Sequence, residues 1–528
     1  MVSIIFSFMS DSRQKEIFII LLCLLIGFAI RFYTFDQKSL WMDEIHTFND
    51  SRYDLKDQIK FYKENPTYLQ APLFFVLTHL FYPFTKPERD LRILPFLFGT
   101  LSIPMFYFLA RLFSSKIALP CTLSLTFMTY HISLSQDGRG YALLMFLSMC
   151  GLFFFIKHLQ TLKNRYLFPG AAFYALSFYT SYSSIPFLFF SQLLWFYKAN
   201  TENKSPLVVS FILFNCLILI FCAPWLLFIA LNYKGQLISH PFQPITFLNL
   251  WELFYGIFHD WVPQVPLMLS SAIVLILTPF FLTEKRERRN VFVLSIAFFL
   301  VIISLYFFCK LLNITHFLTS KYFISFLPIF FIALYLTIQS IEAKWLIRIK
   351  TLKKINLTII FLTLFLLTNL IILPLYYRAE KQDFRGLVAY LKTSLKEGDK
   401  IFDADRMLIG VLHYFQIPPE GRSYFLDRWK ITERETEYQK SFIYQNRKIT
   451  IYHSNICCDQ YLMDGNRLWI IAGKTNAKWY KKYTPSVLKG YFDGSFLNFD
   501  RFPTDASMYL FLWDPQSPDE KGIDMPIE

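Results

Sequence analysis

The run Ile17-Phe18-Ile19-Ile20-Leu21-Leu22-Cys23-Leu24-Leu25-Ile26-Gly27-Phe28-Ala29-Ile30-Arg31-Phe32 is soon succeeded by Leu40-Trp41-Met42-Asp43-Glu44-Ile45-His46-Thr47. The first stretch is close to the ~20 residues a helix needs to cross the hydrocarbon core of a bilayer. The second places two adjacent carboxylates just beyond it, at the water–membrane boundary. An acid pair there can meet a lipid headgroup on one side and a soluble molecule on the other. In an arbitrary loop an Asp-Glu pair is a solvated pair or a helix cap, so the case for chemistry rests on the residues downstream.

The 528 residues are 54% hydrophobic, 19% aromatic and only 17% charged, with 61 Phe. Together with a mean hydropathy of +0.36, this excludes an ordinary soluble globule. The first run lacks a small-residue cleavage site and precedes further apolar runs, so it reads as a retained span, not a signal peptide. A net charge of +14 raises the question of nucleic acid. The basic residues gather in short loops between spans, where they set topology, and no binding stripe forms; nucleic acid is therefore not a partner. Six cysteines lie in apolar runs and behave as small hydrophobes. Cys457 and Cys458 are adjacent, which leaves a strained vicinal disulfide open, and no metal-ligand spacing accompanies them.

Further candidate spans are 90–112, 117–134, 139–157, 166–180, 182–198, 206–230, 263–283, 291–311, 322–340 and 355–375. The stretch 71–84 rises only ~21 Å as a helix against a core of ~30 Å, so it is expected to lie in the interface plane. Topology supports that choice. If 71–84 does not span, Arg13 and Lys15, Arg111 and Lys116, Lys157 to Arg165, Lys198 and Lys204, Lys285 to Arg289, and Lys344 to Lys354 all fall on one side. That is the positive-inside pattern. If it did span, the last two clusters would face outward.

The expected architecture is thus a polytopic α-helical membrane protein of about eleven spans. Its N-terminus is cytoplasmic, and residues 1–380 form the transmembrane domain. An outer loop, 34–89, carries the acidic pair and interfacial helices. Residues 381–528 form a small outer α/β domain. There, 383–395 has helical spacing, while 400–402, 468–472 and 507–513 read as strands. The loops at 136–139, 232–262 and 313–320 are expected on the same outer face.

Several ordered landmarks sit at matching membrane depth. They are Trp41-Met42-Asp43-Glu44 in the first outer loop and Ala71-Pro72-Leu73-Phe74-Phe75 opening the interfacial helix. Arg92-Ile93-Leu94-Pro95 through Gly99 to Pro104, with Ala110-Arg111-Leu112-Phe113, forms the second span. Ser135-Gln136-Asp137-Gly138-Arg139-Gly140-Tyr141 opens the fourth. Later in the chain come Ala223-Pro224-Trp225, Lys321-Tyr322 with Pro328, and Lys381-Gln382-Asp383-Phe384-Arg385. In these residues the chain resembles polytopic glycosyltransferases of the GT-C superfamily. More narrowly it is similar to the bacterial branch akin to protein O-mannosyltransferases and the lipid A aminoarabinose transferase. It departs from them at Gln70, Ala71, Ser181 and Lys321.

The resemblance implies an enzyme that takes a sugar from a polyprenyl-phosphate donor and passes it to a hydroxyl acceptor on lipid, glycan or protein. The reaction would take place on the outer face of a bacterial inner membrane and invert the anomeric centre. It implies Asp43 as general base, with Glu44 orienting it, contacting the acceptor or helping to hold a metal. Such a reaction needs a cation on the departing phosphate. Arg139, beside Gln136 and Asp137, is the first candidate, and Lys321 with Tyr322 is the second. A charge at the bilayer centre costs ~2.5–3.5 kcal/mol on insertion scales, so such residues usually mark sites. Both cations lie nearer the interface, where snorkelling is the plain alternative. Asp43 and Asp137 could share a divalent cation, Mg²⁺ or Mn²⁺.

The competing class is a polytopic lipid or glycan transporter or flippase. Paired half-repeats and matching broken spans would favour it, and the sequence shows neither. Within enzymes, an oligosaccharyltransferase would carry a Trp-Trp-Asp type motif, for which Trp513-Asp514 is a poor match.

Overall fold

The computed structural model describes residues 12–64, 70–195, 204–232, 250–281, 285–311, 319–343, 356–405, 407–417, 437–454, 465–494 and 506–526. The side chains of Arg13, Lys198, Lys204 and the basic run 285–289 lie outside the described residues, as do 344–354 and Cys457-Cys458. The chain divides into two units. A helical unit comprises Met1–Phe35, Ile59–Thr78 and Arg92–Pro374; a mixed unit comprises Asp36–Gln58, His79–Leu91 and Leu375–Glu528.

The protein is a multi-pass membrane protein. Among the described residues, five helices are long and apolar enough to cross a membrane, and up to seven if each of two bent pairs counts as one span. Ser12–Phe32, Asn164–Thr180 and Lys285–Leu311 are helices over three further candidate runs. Burial separates centre from periphery. Ser320–Ile341 is 83% buried and Leu207–Asn232 only 17%, so the first is apolar because it is core and the second because it faces lipid. Small residues allow close helix approach. A Cβ on Gly151 would come within 2.4 Å of Tyr174 Cδ1, and one on Gly99 within 2.1 Å of Ser135 Oγ.

Two of the expected spans are not single helices. Residues 117–134 form Ser115–Phe127 and Thr129–Ser135, bent by 60°. Met128 is extended at the break. Thr129 N–H there donates to Asn369 Oδ1 at 2.8 Å, and Thr129 Oγ1 donates to Asn369 O at 3.1 Å. A neighbouring helix thus satisfies the backbone freed by the break, the condition for irregular backbone at membrane depth. Residues 182–198 begin with a 3-10 turn, Tyr182–Ser184, leading into a six-residue helix, Ile185–Phe190. The stretch 71–84 contains one short helix, Leu73–His79.

The mixed unit holds a six-stranded sheet: β1 (Lys400–Asp403), β2 (Glu437–Tyr444), β3 (Arg447–Ser454), β4 (Leu468–Gly473), β5 (Val487–Phe492) and β6 (Met508–Trp513). Its order is β2-β3-β1-β4-β6-β5. The central strand β1 runs parallel to β3 and β4, and the outer pairings are antiparallel. Alternate side chains point to opposite faces. Ile401, Trp469, Ile471 and Leu510 pack beneath Phe384, Leu387 and Leu391 of helix Phe384–Ser394 and Leu412 of helix Leu408–Tyr414. Phe402, Leu468, Ile470 and Phe511 pack against Ala477 and Tyr480 of helix Lys474–Tyr483. The first of these cores also takes in Leu40, Ile45 and Leu91. Burial of those apolar side chains groups parts of the first long loop with the C-terminal residues.

Candidate active site

The sequence candidates fall into two groups, one in each unit. In the mixed unit, Asp43 and Glu44 open the helix Met42–Asp50, where negative charge in the first turn complements the helix dipole. The two acids have different surroundings. Glu44 is fully buried, while Asp43 is partly exposed. Glu44 Oε2 accepts the Trp41 N–H at 3.3 Å, and Glu44 Oε1 lies 3.8 Å from Lys381 Nζ, itself buried. A carboxylate out of water needs such partners. The Met42 N–H donates to Gln382 Oε1 at 2.9 Å, and the Leu40 N–H to Tyr414 Oη at 2.7 Å.

A polar seam continues from there. Lys38 donates to the carbonyls of Tyr376 and, at 2.6 Å, Ala379. Ser39 N–H donates to Glu380 Oε2 at 3.0 Å, and burial pushes the Glu380 carboxyl above its ordinary range. Tyr414 donates to Glu88 Oε1 at 3.1 Å, and burial pushes its phenol up. Arg385 donates to Gln37 O at 2.7 Å and lies 3.5 Å from Glu88 Oε1.

In the helical unit, the turn after Thr129–Ser135 carries Gln136, Asp137 and Arg139. Gln136 and Asp137 are buried and Arg139 is half-buried. Gln136 donates through Nε2 to Arg31 O at 2.8 Å and Tyr33 O at 2.7 Å. Both bonds tie it to the carbonyl end of the first helix. Lys321 lies 5.4 Å from the Tyr141 ring centroid and 5.7 Å from that of Tyr322. The two rings meet edge to face at 6.1 Å, so a half-buried cation is held between aromatic faces. The adjacent Ser320 hydroxyl bonds to Asp260 Oδ2 and lies 2.7 Å from Tyr130 Oη. The structure therefore brings the 136–141 turn and the 320–322 turn, far apart in sequence, into one polar cluster.

Three functional-looking groups are missed by reasoning from sequence. Asp260 reads as one more loop residue, although an acid inside Phe258-His259-Asp260-Trp261 is a signal. Lys38 and Arg31 belong to none of the motifs drawn from the sequence. Arg31 is in fact fully buried. Its guanidinium donates to Thr126 O at 3.1 Å and Leu125 O at 2.9 Å, and it meets His131 Nδ1 at 2.9 Å. Those carbonyls end the helix before the Met128 break.

Among the described residues, no three His, Cys, Asp or Glu side chains gather as a metal site.

The backbone matches a crystal structure of ArnT from Cupriavidus metallidurans in the apo state. The TM-score is 0.53 at 10% identity, over 98% of this chain and 100% of that one. The chain has the ArnT fold. The likeness in backbone runs along almost the whole of this chain. ArnT bound to undecaprenyl phosphate scores 0.40 at 11% identity, over 95% of this chain and 98% of that one. The Archaeoglobus fulgidus oligosaccharyltransferase in complex with Zn and sulfate scores 0.39 at 11% identity, over 77% and 58%. Both are too distant in backbone to bear on this chain. No family model and no curated protein sequence matches it.

Proposed function

We propose that the protein is an inverting glycosyltransferase that moves a sugar from a polyprenyl-phosphate donor to a hydroxyl acceptor on the outer face of the membrane. The ArnT fold over 98% of the chain carries this reading, and the acidic motif at the boundary of the first span supports it. Donor and outer location are what the GT-C resemblance implies.

In this mechanism the acceptor hydroxyl attacks the anomeric carbon while the bond from that carbon to the phosphate oxygen breaks. Asp43 takes the hydroxyl proton as general base, a role worth roughly 10²–10⁴-fold in rate. Its partial exposure suits it to meeting an acceptor, whereas the buried Glu44 is suited to fixing the helix. The departing polyprenyl phosphate gathers negative charge, which Arg139 and Lys321 offset. Arg139 offers a planar fork to two phosphate oxygens, and Lys321 offers a point charge steadied by two rings. In-line displacement inverts the anomeric centre. The reading assigns the acceptor proton to Asp43 and the phosphate charge to Arg139 and Lys321. It requires about eleven spans with the N-terminus and the basic loops cytoplasmic.

The test is mass spectrometry of envelope lipids and glycans from cells with and without the gene. The expected result is a single missing hexose or pentose on one lipid, glycan or protein. An unchanged inventory alongside a sugar-lipid trapped on the inner leaflet contradicts the proposal and indicates a flippase.

A further inference from the structure

We infer that Lys381, Gln382 and Tyr414 are positioning residues for Asp43, so that the C-terminal residues form part of the transfer centre and not only an appendage to it. The inference rests on the reading of Asp43 as general base.

Trp41 stands at the N-cap position of helix Met42–Asp50, and an indole has no acceptor to offer the N–H groups of a first turn. Within the helix, Glu44 takes the Trp41 N–H at 3.3 Å. Two further acceptors come from the C-terminal residues. Tyr414 Oη takes the Leu40 N–H at 2.7 Å and Gln382 Oε1 takes the Met42 N–H at 2.9 Å. Lys381 faces Glu44 at 3.8 Å. Asp43 sits between two residues held in this way, Met42 through its backbone and Glu44 through its side chain. Below the same turn, Leu40 and Ile45 are fully buried in the core built by Phe384, Leu387 and Leu412. The backbone that carries Asp43 therefore has its position set by residues 381–414.

A general base must be within hydrogen-bond reach of the proton it removes. A misplacement of about 1 Å costs roughly 10²-fold in rate. Loss of one of these contacts should lower kcat more than it alters donor binding.

The experiment uses the full chain reconstituted in lipid, with Gln382→Leu, Lys381→Met, Tyr414→Phe and the conservative Lys381→Arg. Steady-state transfer is measured alongside hydrogen exchange of amides 40–46. The expected result for Gln382→Leu and Lys381→Met is a kcat reduced about 10- to 100-fold, with the donor KM within twofold of wild type. The amides of 40–46 should lose protection, and Lys381→Arg should recover most of the rate. If either variant fails to fold, Tyr414→Phe carries the test, because it removes a single hydroxyl and should expose the Leu40 amide. Wild-type kcat and protection in the folded variants overturn the inference, as does a change confined to the acceptor KM. The base reading fails separately, if Asp43→Asn turns over normally. In that event amide protection alone decides the positioning link.

Discussion

Lys381 brings its ammonium to 3.8 Å from Glu44 Oε1, with 6% of its side chain and none of that of Glu44 exposed. The two residues lie far apart in the chain, and each is the other's compensation for leaving water. Removing one partner of a buried pair strands the other. Glu44→Leu should therefore cost about 3–5 kcal/mol. The double variant Glu44→Leu with Lys381→Met should cost clearly less. Denaturant unfolding of the purified protein in detergent measures both. Equal losses in the single and double variants contradict the pairing.

Arg31 should tolerate no substitution, Lys included. Its fork reaches Leu125 O, Thr126 O and His131 Nδ1 together, and a single ammonium cannot reproduce that geometry. Arg31→Lys and Arg31→Ala are expected to lower the melting temperature by similar amounts, read by thermal unfolding in detergent.

Asn369→Leu should cost about 1–3 kcal/mol, because it leaves the buried Thr129 N–H without its acceptor at the helix break. Asn369→Asp keeps an accepting oxygen and should cost less. The same unfolding assay separates the two.

The two broken segments show where reading the sequence stops. Long apolar runs announce spans because bilayer thickness fixes their length, and short β-prone runs at 400–402, 468–472 and 507–513 announce strands. The break at Met128 has no local signal, since what makes it tolerable is Asn369, 240 residues from Thr129. The acid pair was legible as a motif, but the difference between its members was not. Adjacent residues on a helix point in different directions, and only the fold shows that Glu44 turns inward. The tie of Gln136 to the first helix was hidden for the same reason: its acceptors, Arg31 O and Tyr33 O, belong to the end of the first span. Asp260 and Lys321 become neighbours in one cluster only when their helices pack.

The mixed unit should weaken in mild acid. Burial against Phe48 and Tyr414, with Arg52 adding to it and Glu88 opposing it, brings His413 down to about 4. An unfolded His binds its proton near 6.5. Between those values the unfolded chain takes up a proton that the folded unit refuses. The stability associated with the neutral ring is thus complete above about 6.5 and is lost as pH falls toward about 4. His413→Gln should flatten that part of a stability–pH curve measured by denaturant unfolding. A curve with the same slope in the variant excludes His413 as the cause.

The central claim is that Asp43 is the base of a sugar-transfer reaction. The most direct measurement compares wild type and Asp43→Asn in reconstituted membranes. It tracks both binding of polyprenyl phosphate and transfer from donor lipid extracted from the native envelope. The account predicts that the variant binds the lipid within about twofold of wild type while transfer falls by roughly 10²–10⁴-fold. Transfer at the wild-type rate by a folded Asp43→Asn protein contradicts it.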